Sequence, residues 1–325
     1  MIQNKFSTLE YRAVIIILSV FCSAFTIRND LPLKKDDLEG TISISGAFAL
    51  YPIAIKWGEE FKKLHPKVRF DISAGGAGKG ISDALGGMVD LGAVSRDLYP
   101  EETKRGAVPF AVTRDAVIPT VNWANPNIKE IAVKGLKKED FANIYASGQY
   151  KNWKQAGFSV SAPIRAYTRS DAAGAAESWA KYFGKKQEDL LGIGVYGDPG
   201  LLSAVKKDIL GIGFNNITYV FDAKTGKQLK GIAIVPIDVN SNGKIDTDEN
   251  FYGNITEFIK AVAEGKYPSP PARDLYFVSK NKPQKKVVVE FLKWVLSEGQ
   301  KFVGEAGYVK LSEAKLKAEL TKISL

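Results

Sequence analysis

Residues 71–96 read DISAGGAGKGISDALGGMVDLGAVSR, and the order strand, glycine turn, helix, strand is written in them. Val68, Phe70 and Ile72 alternate with polar residues as a strand does, and glycines follow at 75, 76, 78 and 80. A helix-like run over 81–85 comes next, then a second strand over 88–94 that ends in Ser95-Arg96. Glycine lets backbone approach a ligand closely, and the first free N–H groups of a helix carry partial positive charge. Glycine content alone fits a flexible turn. The Ser95-Arg96 pair, placed to face the same point, turns the reading toward an anion cradle.

The same punctuation recurs on both sides. Upstream, residues 41–45 (TISIS) alternate as a strand, and residues 46–50 open a helix whose apolar face is Ile53, Trp57 and Phe61. Downstream, a strand over 115–122 precedes a helix over 137–146, a strand over 163–167 and a helix over 172–183. The glycine-rich 197–200 opens a helix over 201–207, and 209–214 reads as a strand. After the proline break at 268–271 come a strand over 274–278 and helices over 287–297 and 299–306. Strands that alternate with helices predict an α/β fold with parallel-sheet logic, in which ligands collect at the carboxyl ends of strands.

The chain has 325 residues, 45% apolar and 25% charged, enough for two globular domains. Its net charge is +9, yet the lysines are dispersed among acids with no basic stripe interleaved with aromatics, so nucleic acid is not an expected partner. Lys5 and Arg12 precede the apolar run 13–25, which is short of the ~20 residues that span a bilayer. That run reads as a signal peptide, 1–24, cut after Ala24; an uncleaved anchor is the alternative. Phe21 before Cys22 disfavours a lipoprotein signal, and cleavage would leave a mature chain without cysteine. The single histidine, His65, reads as a surface residue at a helix end. With one histidine and no mature cysteine, Cys/His zinc sites cannot be assembled, and His-based nucleophilic triads are nearly ruled out, since His65 would have to serve as the only base. No acidic pair stands out for carboxylate chemistry, so an enzyme is not expected.

In this order and spacing the chain resembles the PstS-like phosphate-binding proteins of bacterial ABC transporters, within the periplasmic solute-binding superfamily. The residues that carry the resemblance are 45–52 (SGAFALYP) with Trp57, 74–78 (AGGAG) with 89–93 (VDLGA), 141–145 (FANIY) with Asn152-Trp153, 169–174 (RSDAAG) and 211–214 (GIGF). The resemblance implies a two-lobed, type II-like α/β fold with the anion in the interlobe cleft. Lobe 1 would be 40–113 with 275–325, lobe 2 would be 114–274, and 25–39 would be a leader. It further implies a non-catalytic monomer, exported to the periplasm or cell surface, that hands phosphate to an ABC permease.

Carried over by position, the phosphate ligands would be Ala47, Phe48 and Ala49, then Gly76, Ala77 and Gly78, then Ser95 and Arg96. From the second lobe would come Arg169, oriented by Asp171, with Ala173, Gly174 and Ala175. Three positions depart from the family pattern. Ala173-Gly174-Ala175 stands where Ser-Gly-Thr is usual, Arg96 where an aspartate accepts the phosphate proton, and Phe48 where threonine is common. A site with two arginines and no acceptor suits a fully ionised anion, so sulfate or a molybdate-like oxyanion is the alternative ligand. A calcium-stabilised surface protein with a vestigial cleft is the alternative function.

Residues 238–249 (DVNSNGKIDTDE) match the twelve-residue EF-hand loop. Asp238, Asn240 and Asn242 would be the first side-chain ligands, Gly243 the sharp turn and Lys244 a carbonyl ligand. Asp246 and Glu249 would complete a Ca2+ site, with Ile245 as the apolar anchor. The preceding 231–237 reads as a strand and only 255–263 as a helix, so a structural calcium clip is expected rather than a sensor.

Overall fold

Alternation in the sequence becomes an inner strand of the sheet. In β1 (Gly40–Gly46) Ile42 and Ile44 are buried and Thr41 faces outward. A computed structural model describes residues 38–324. The expected export segment 1–24, with Cys22, and leader residues 25–37 lie outside the described residues. Helix α1 (Tyr51–Leu64) carries Pro52 in its first turn, where a missing N–H breaks no bond, and buries Ile53, Trp57 and Phe61. Strand β2 (Val68–Ala74) pairs parallel with β1.

The glycine stretch resolves differently from its sequence reading. Helix α2 (Ala77–Gly86) begins four residues before 81, so Gly78 and Gly80 lie in its opening turns. Gly76 takes φ +88° at the helix boundary, a conformation that favours glycine. Gly80 answers a packing need, because a Cβ there would overlap the Ala93 carbonyl oxygen and crowd Gly46. Part of the glycine signal therefore lets α2 lie directly on the sheet. Strand β3 (Leu91–Val94) is correspondingly shorter than the expected 88–94.

Next come α3 (Pro100–Lys104) and the 16-residue β4 (Ala107–Asn122), then α4 (Ile128–Lys134) and α5 (Lys138–Tyr145). Strand β5 (Arg165–Arg169), α6 (Gly174–Tyr182), β6 (Ile193–Val195), α7 (Gly197–Lys207) and β7 (Gly211–Asn216) follow. The chain continues through β8 (Ile232–Ile234), α8 (Ile255–Ala263), β9 (Ala272–Lys280), α9 (Lys286–Val295) and α10 (Glu313–Ser324). The helix expected at 299–306 is instead a short 3-10 turn, Glu298–Phe302.

The strand order is β2-β1-β3-β9-β4-β7-β5-β6, with β8 also paired to β4. Parallel pairs lie at both ends of this order, and β9 and β4 run antiparallel to their neighbours in the middle. Two apolar cores flank that middle. One gathers Trp57, Phe61, Phe110, Phe277 and Phe291, and the other gathers Phe141, Tyr145, Trp179, Phe214 and Phe258. Strand β4 leaves the first core after Val112 and enters the second at Ala116, while β9 crosses the opposite way between Ala272 and Leu275. A register shift at Ala111/Thr113 marks the crossing, and the lobe limits expected at 113/114 and 274/275 fall on these two strands.

Candidate functional site

Five strands end around one narrow, nearly closed space. The loop after β1 brings Ala47, Phe48 and Ala49; the turn into α2 brings Gly76 and Ala77; and Ser95 follows β3. From the other side β5 ends in Arg169, α6 opens with Ala173, Gly174 and Ala175, α7 presents Asp198 near its start, and β7 ends in Asn216. Ten of these twelve positions are among those the resemblance implied. The carboxyl ends of strands and the N-termini of α2, α6 and α7 thus converge, which concentrates N–H dipoles on one point.

Several donors there have no partner among the described residues. The Phe48 and Ala49 N–H groups make no hydrogen bond, although Leu50 and Tyr51 already turn back onto Ala47 and Phe48. In α6 the first helical bond is Glu177 N–H to Ala173 O, so the Gly174 and Ala175 N–H groups are free to point outward. Gly174 is required here, since a Cβ would overlap Ser95.

Arg169 is buried between two carboxylates. Its Nε and Nη2 donate to Asp171 at 2.8 and 2.6 Å, its Nη1 donates to Asp198 Oδ2 at 2.6 Å, and its guanidinium lies 5.5 Å from the Phe48 ring centre. Burial works against the charge, but Asp198 and Asp171 outweigh it and hold the pKa above its ordinary value. Three of the five guanidinium N–H groups are used in this way, which leaves one on each terminal nitrogen. The two aspartates offset the arginine charge, so directed N–H groups rather than net charge carry attraction for an anion.

The remaining implied residues lie elsewhere. Asp171 sits behind Arg169 as its brace. Gly78 is outside the lining: its N–H donates to Ala172 O at 3.0 Å and joins α2 to the segment before α6. Arg96 does not face the site. Its fork closes on Glu102 at 2.9 and 2.6 Å, its guanidinium stacks 3.9 Å over Tyr99, and it borders a separate space of about 560 Å³. An acid six residues downstream outcompeted the anion site for this arginine. Asp198 and Asn216 were not singled out for any role in the sequence. The only cue for Asp198 was an acid beside the helix-opening glycines, and for Asn216 a polar pair, Asn215-Asn216, ending an apolar strand.

A family model described as a PBP superfamily domain matches residues 34–299. The chain belongs to the PBP superfamily. It is 27% identical over 293 residues to the phosphate-binding protein PstS of Staphylococcus epidermidis, covering 87% of this chain and 83% of that one. It is 24% identical to the phosphate-binding protein PstS of Bacillus subtilis, over 97% and 96% of the two chains. Among solved structures it is similar to a phosphate ABC transporter substrate-binding protein with bound phosphate from Clostridium perfringens. That similarity has a TM-score of 0.69 at 25% identity and covers 84% of this chain and 100% of that one.

Outside the cleft of this PBP fold, the loop 238–249 forms a closed polar ring between β8 and α8. Asp238 accepts from the Asn242 and Gly243 N–H groups, and Glu249 accepts from Val239, Asn240 and Asp246. Gly243 turns at φ +83°. Lys244, with Asn240 and Asn242, pulls the Asp246 carboxyl down to about 2. Asp238 and Glu249 are 3% and 5% exposed, and among the described residues no cationic side chain pairs with either. Two buried carboxylates without a counter-cation, amid amide and carbonyl oxygens, form a donor set of the kind hard divalent cations use. Among the described residues no three His, Cys, Asp or Glu side chains converge closely enough to hold a metal; the loop's oxygen set draws on two asparagines. His65 ends α1 partly buried, with its ring 4.4 Å from Phe61, rather than standing free on the surface.

Proposed function

We propose that this chain is an exported solute-binding protein that closes on inorganic phosphate between two lobes and presents it to the permease of an ABC importer. The observation that carries the reading is the braced Arg169 facing the free N–H groups of Phe48, Ala49, Gly174 and Ala175. These donors come from both apolar cores, so an oxyanion between them would hold the two together. Bound phosphate in the Clostridium perfringens relative and the names of the Staphylococcus and Bacillus relatives support phosphate as the anion. The protein acts as a monomer at the periplasmic or outer face of the membrane, and its task is capture and release without bond-making. Calorimetric titration of the purified protein should show phosphate binding at micromolar concentration or tighter. Binding of sulfate or molybdate with none of phosphate would overturn the choice of ligand.

One observation favours that second anion class. Each oxygen of Asp171 and Asp198 already accepts a hydrogen bond, which leaves no uncommitted carboxylate oxygen to receive a phosphate proton. The titration therefore includes sulfate from the start. The loop 238–249 is the proposed seat of a structural Ca2+, held by Asp238, Asn240, Asn242, the Lys244 carbonyl, Asp246 and Glu249.

A further inference from the structure

The structure assigns a positioning role to Arg273: it is a clasp that binds both walls of the anion cleft at the strand crossing and sets Asp198, and through it Arg169, in place. This rests on the solute-binding reading above and adds to it a residue that does not line the anion site. Arg273 lies on β9 between Ala272, which packs in one core, and Leu275, which packs in the other. Its guanidinium is divided three ways. Nη2 donates to Asn216 Oδ1, Nε donates to Ser95 O at 3.3 Å, and Nη1 lies 3.4 Å from Asp115 Oδ2 on the facing position of β4.

Those three partners have distinct places. Ser95 closes the β3 side of the cleft and Asn216 closes the β7 side, and both line it. Asp115 sits on the crossing strand, and its Oδ1 also accepts the N–H of Ile217, the residue after Asn216. From Asn216 the chain of bonds continues inward, because its Nδ2 donates to Asp198 Oδ1 at 2.6 Å and Asp198 Oδ2 accepts from Arg169. The crossing strands and the anion-facing arginine are thereby joined through Asn216 and Asp198, all of them buried. Opening the cleft would separate Ser95 from Asn216 and force Arg273 to release one of them. The clasp is therefore complete only in the closed arrangement, and its bonds resist dissociation more than they speed encounter.

A lysine at 273 keeps the charge but is a single point donor that cannot span three partners. In stopped-flow phosphate binding, Arg273→Lys should raise the dissociation rate roughly 10- to 100-fold, the weight of one charge-assisted hydrogen bond, while association stays within about threefold. Asn216→Ser cuts the same link from the other end and should give the same asymmetry; it decides the matter if Arg273→Lys does not fold. The double variant should bind no more weakly than the weaker single one, since both break one chain of bonds. Unchanged dissociation in a folded single variant, or a loss carried by slower association, would overturn the clasp alone. If the wild type binds neither phosphate nor sulfate, the solute-binding reading falls and the clasp with it.

Discussion

At the scale of single residues, the site is a problem in placing charge without water. Arg169 could be carried over from the resemblance because an arginine and an aspartate two apart leave a clear mark in sequence. Asp198 leaves only a faint one, an acid beside helix-opening glycines, since it comes from a different helix and meets Arg169 only after folding. Removing Arg169 would strand two buried carboxylates. Arg169→Ala is therefore expected to weaken phosphate binding by roughly 10- to 150-fold or more and to destabilise the fold by about 3–5 kcal/mol. Calorimetry and urea unfolding on the same preparation read both effects, and a variant of wild-type stability would show that the carboxylates find other partners. Asp115 is the opposite case. Burial drives its carboxyl up to about 6, against the pull of Arg273 and the Ala116 and Ile217 N–H groups and with a push from Asp198. The folded state then keeps a proton that the unfolded chain, titrating near about 4, has lost. Stability on this account declines as pH rises from about 4 to about 6, and the cost is fully present above that window. Relative to wild type, Asp115→Asn should therefore fare better at pH ~7 than at pH ~4.5 in denaturant titrations. An offset equal at both pH values would mean that Asp115 titrates normally.

Among the elements, glycine proves to have two jobs that sequence alone could not separate. The order strand, turn, helix, strand over 71–96 was legible because hydrophobic period and glycine spacing are local properties. The point where α2 begins was not legible, because Gly80 is set by the Ala93 carbonyl on a neighbouring strand. Gly174 is likewise set across the cleft, against Ser95. An added methyl at 174 would wedge the two walls apart, and overpacking of this kind costs about 1–3 kcal/mol. Gly174→Ala should lower phosphate affinity by roughly 5- to 150-fold, since closure and binding are one event there. Gly80→Ala, buried beneath the sheet and off the lining, should instead lower stability by a similar energy and leave the affinity of the folded fraction near wild type. If the two variants behave alike, the distinction between a packing glycine and a cleft glycine is wrong.

For the whole molecule, the sequence showed the α/β class and, in Ile53, Trp57 and Phe61, one apolar face of the first core, but not that β4 and β9 each run from one core into the other. A mostly buried strand has no clear periodic mark where it changes core, and residues 107–114 of β4 went unread for that reason. The loop 238–249 belongs to the second core only. Asp238 N–H donates to Leu136 O, Ile245 N–H donates to Val133 O, and Tyr252 hydroxyl receives the Ile237 N–H. A cation there would tie α4, the start of α5 and the approach to α8 together at their margins. Calcium at about 100 times its Kd should then stabilise that core by about 2.7 kcal/mol through mass action. The first core gains nothing directly, so the two cores would part in thermal scans, with the second melting several degrees earlier in chelator than in calcium. Glu249→Gln should abolish the calcium response and leave phosphate titration unchanged, because no residue of the loop lines the cleft. A melting profile identical in calcium and chelator would refute the clip and leave Asp238 and Glu249 as ordinary caps of a polar turn.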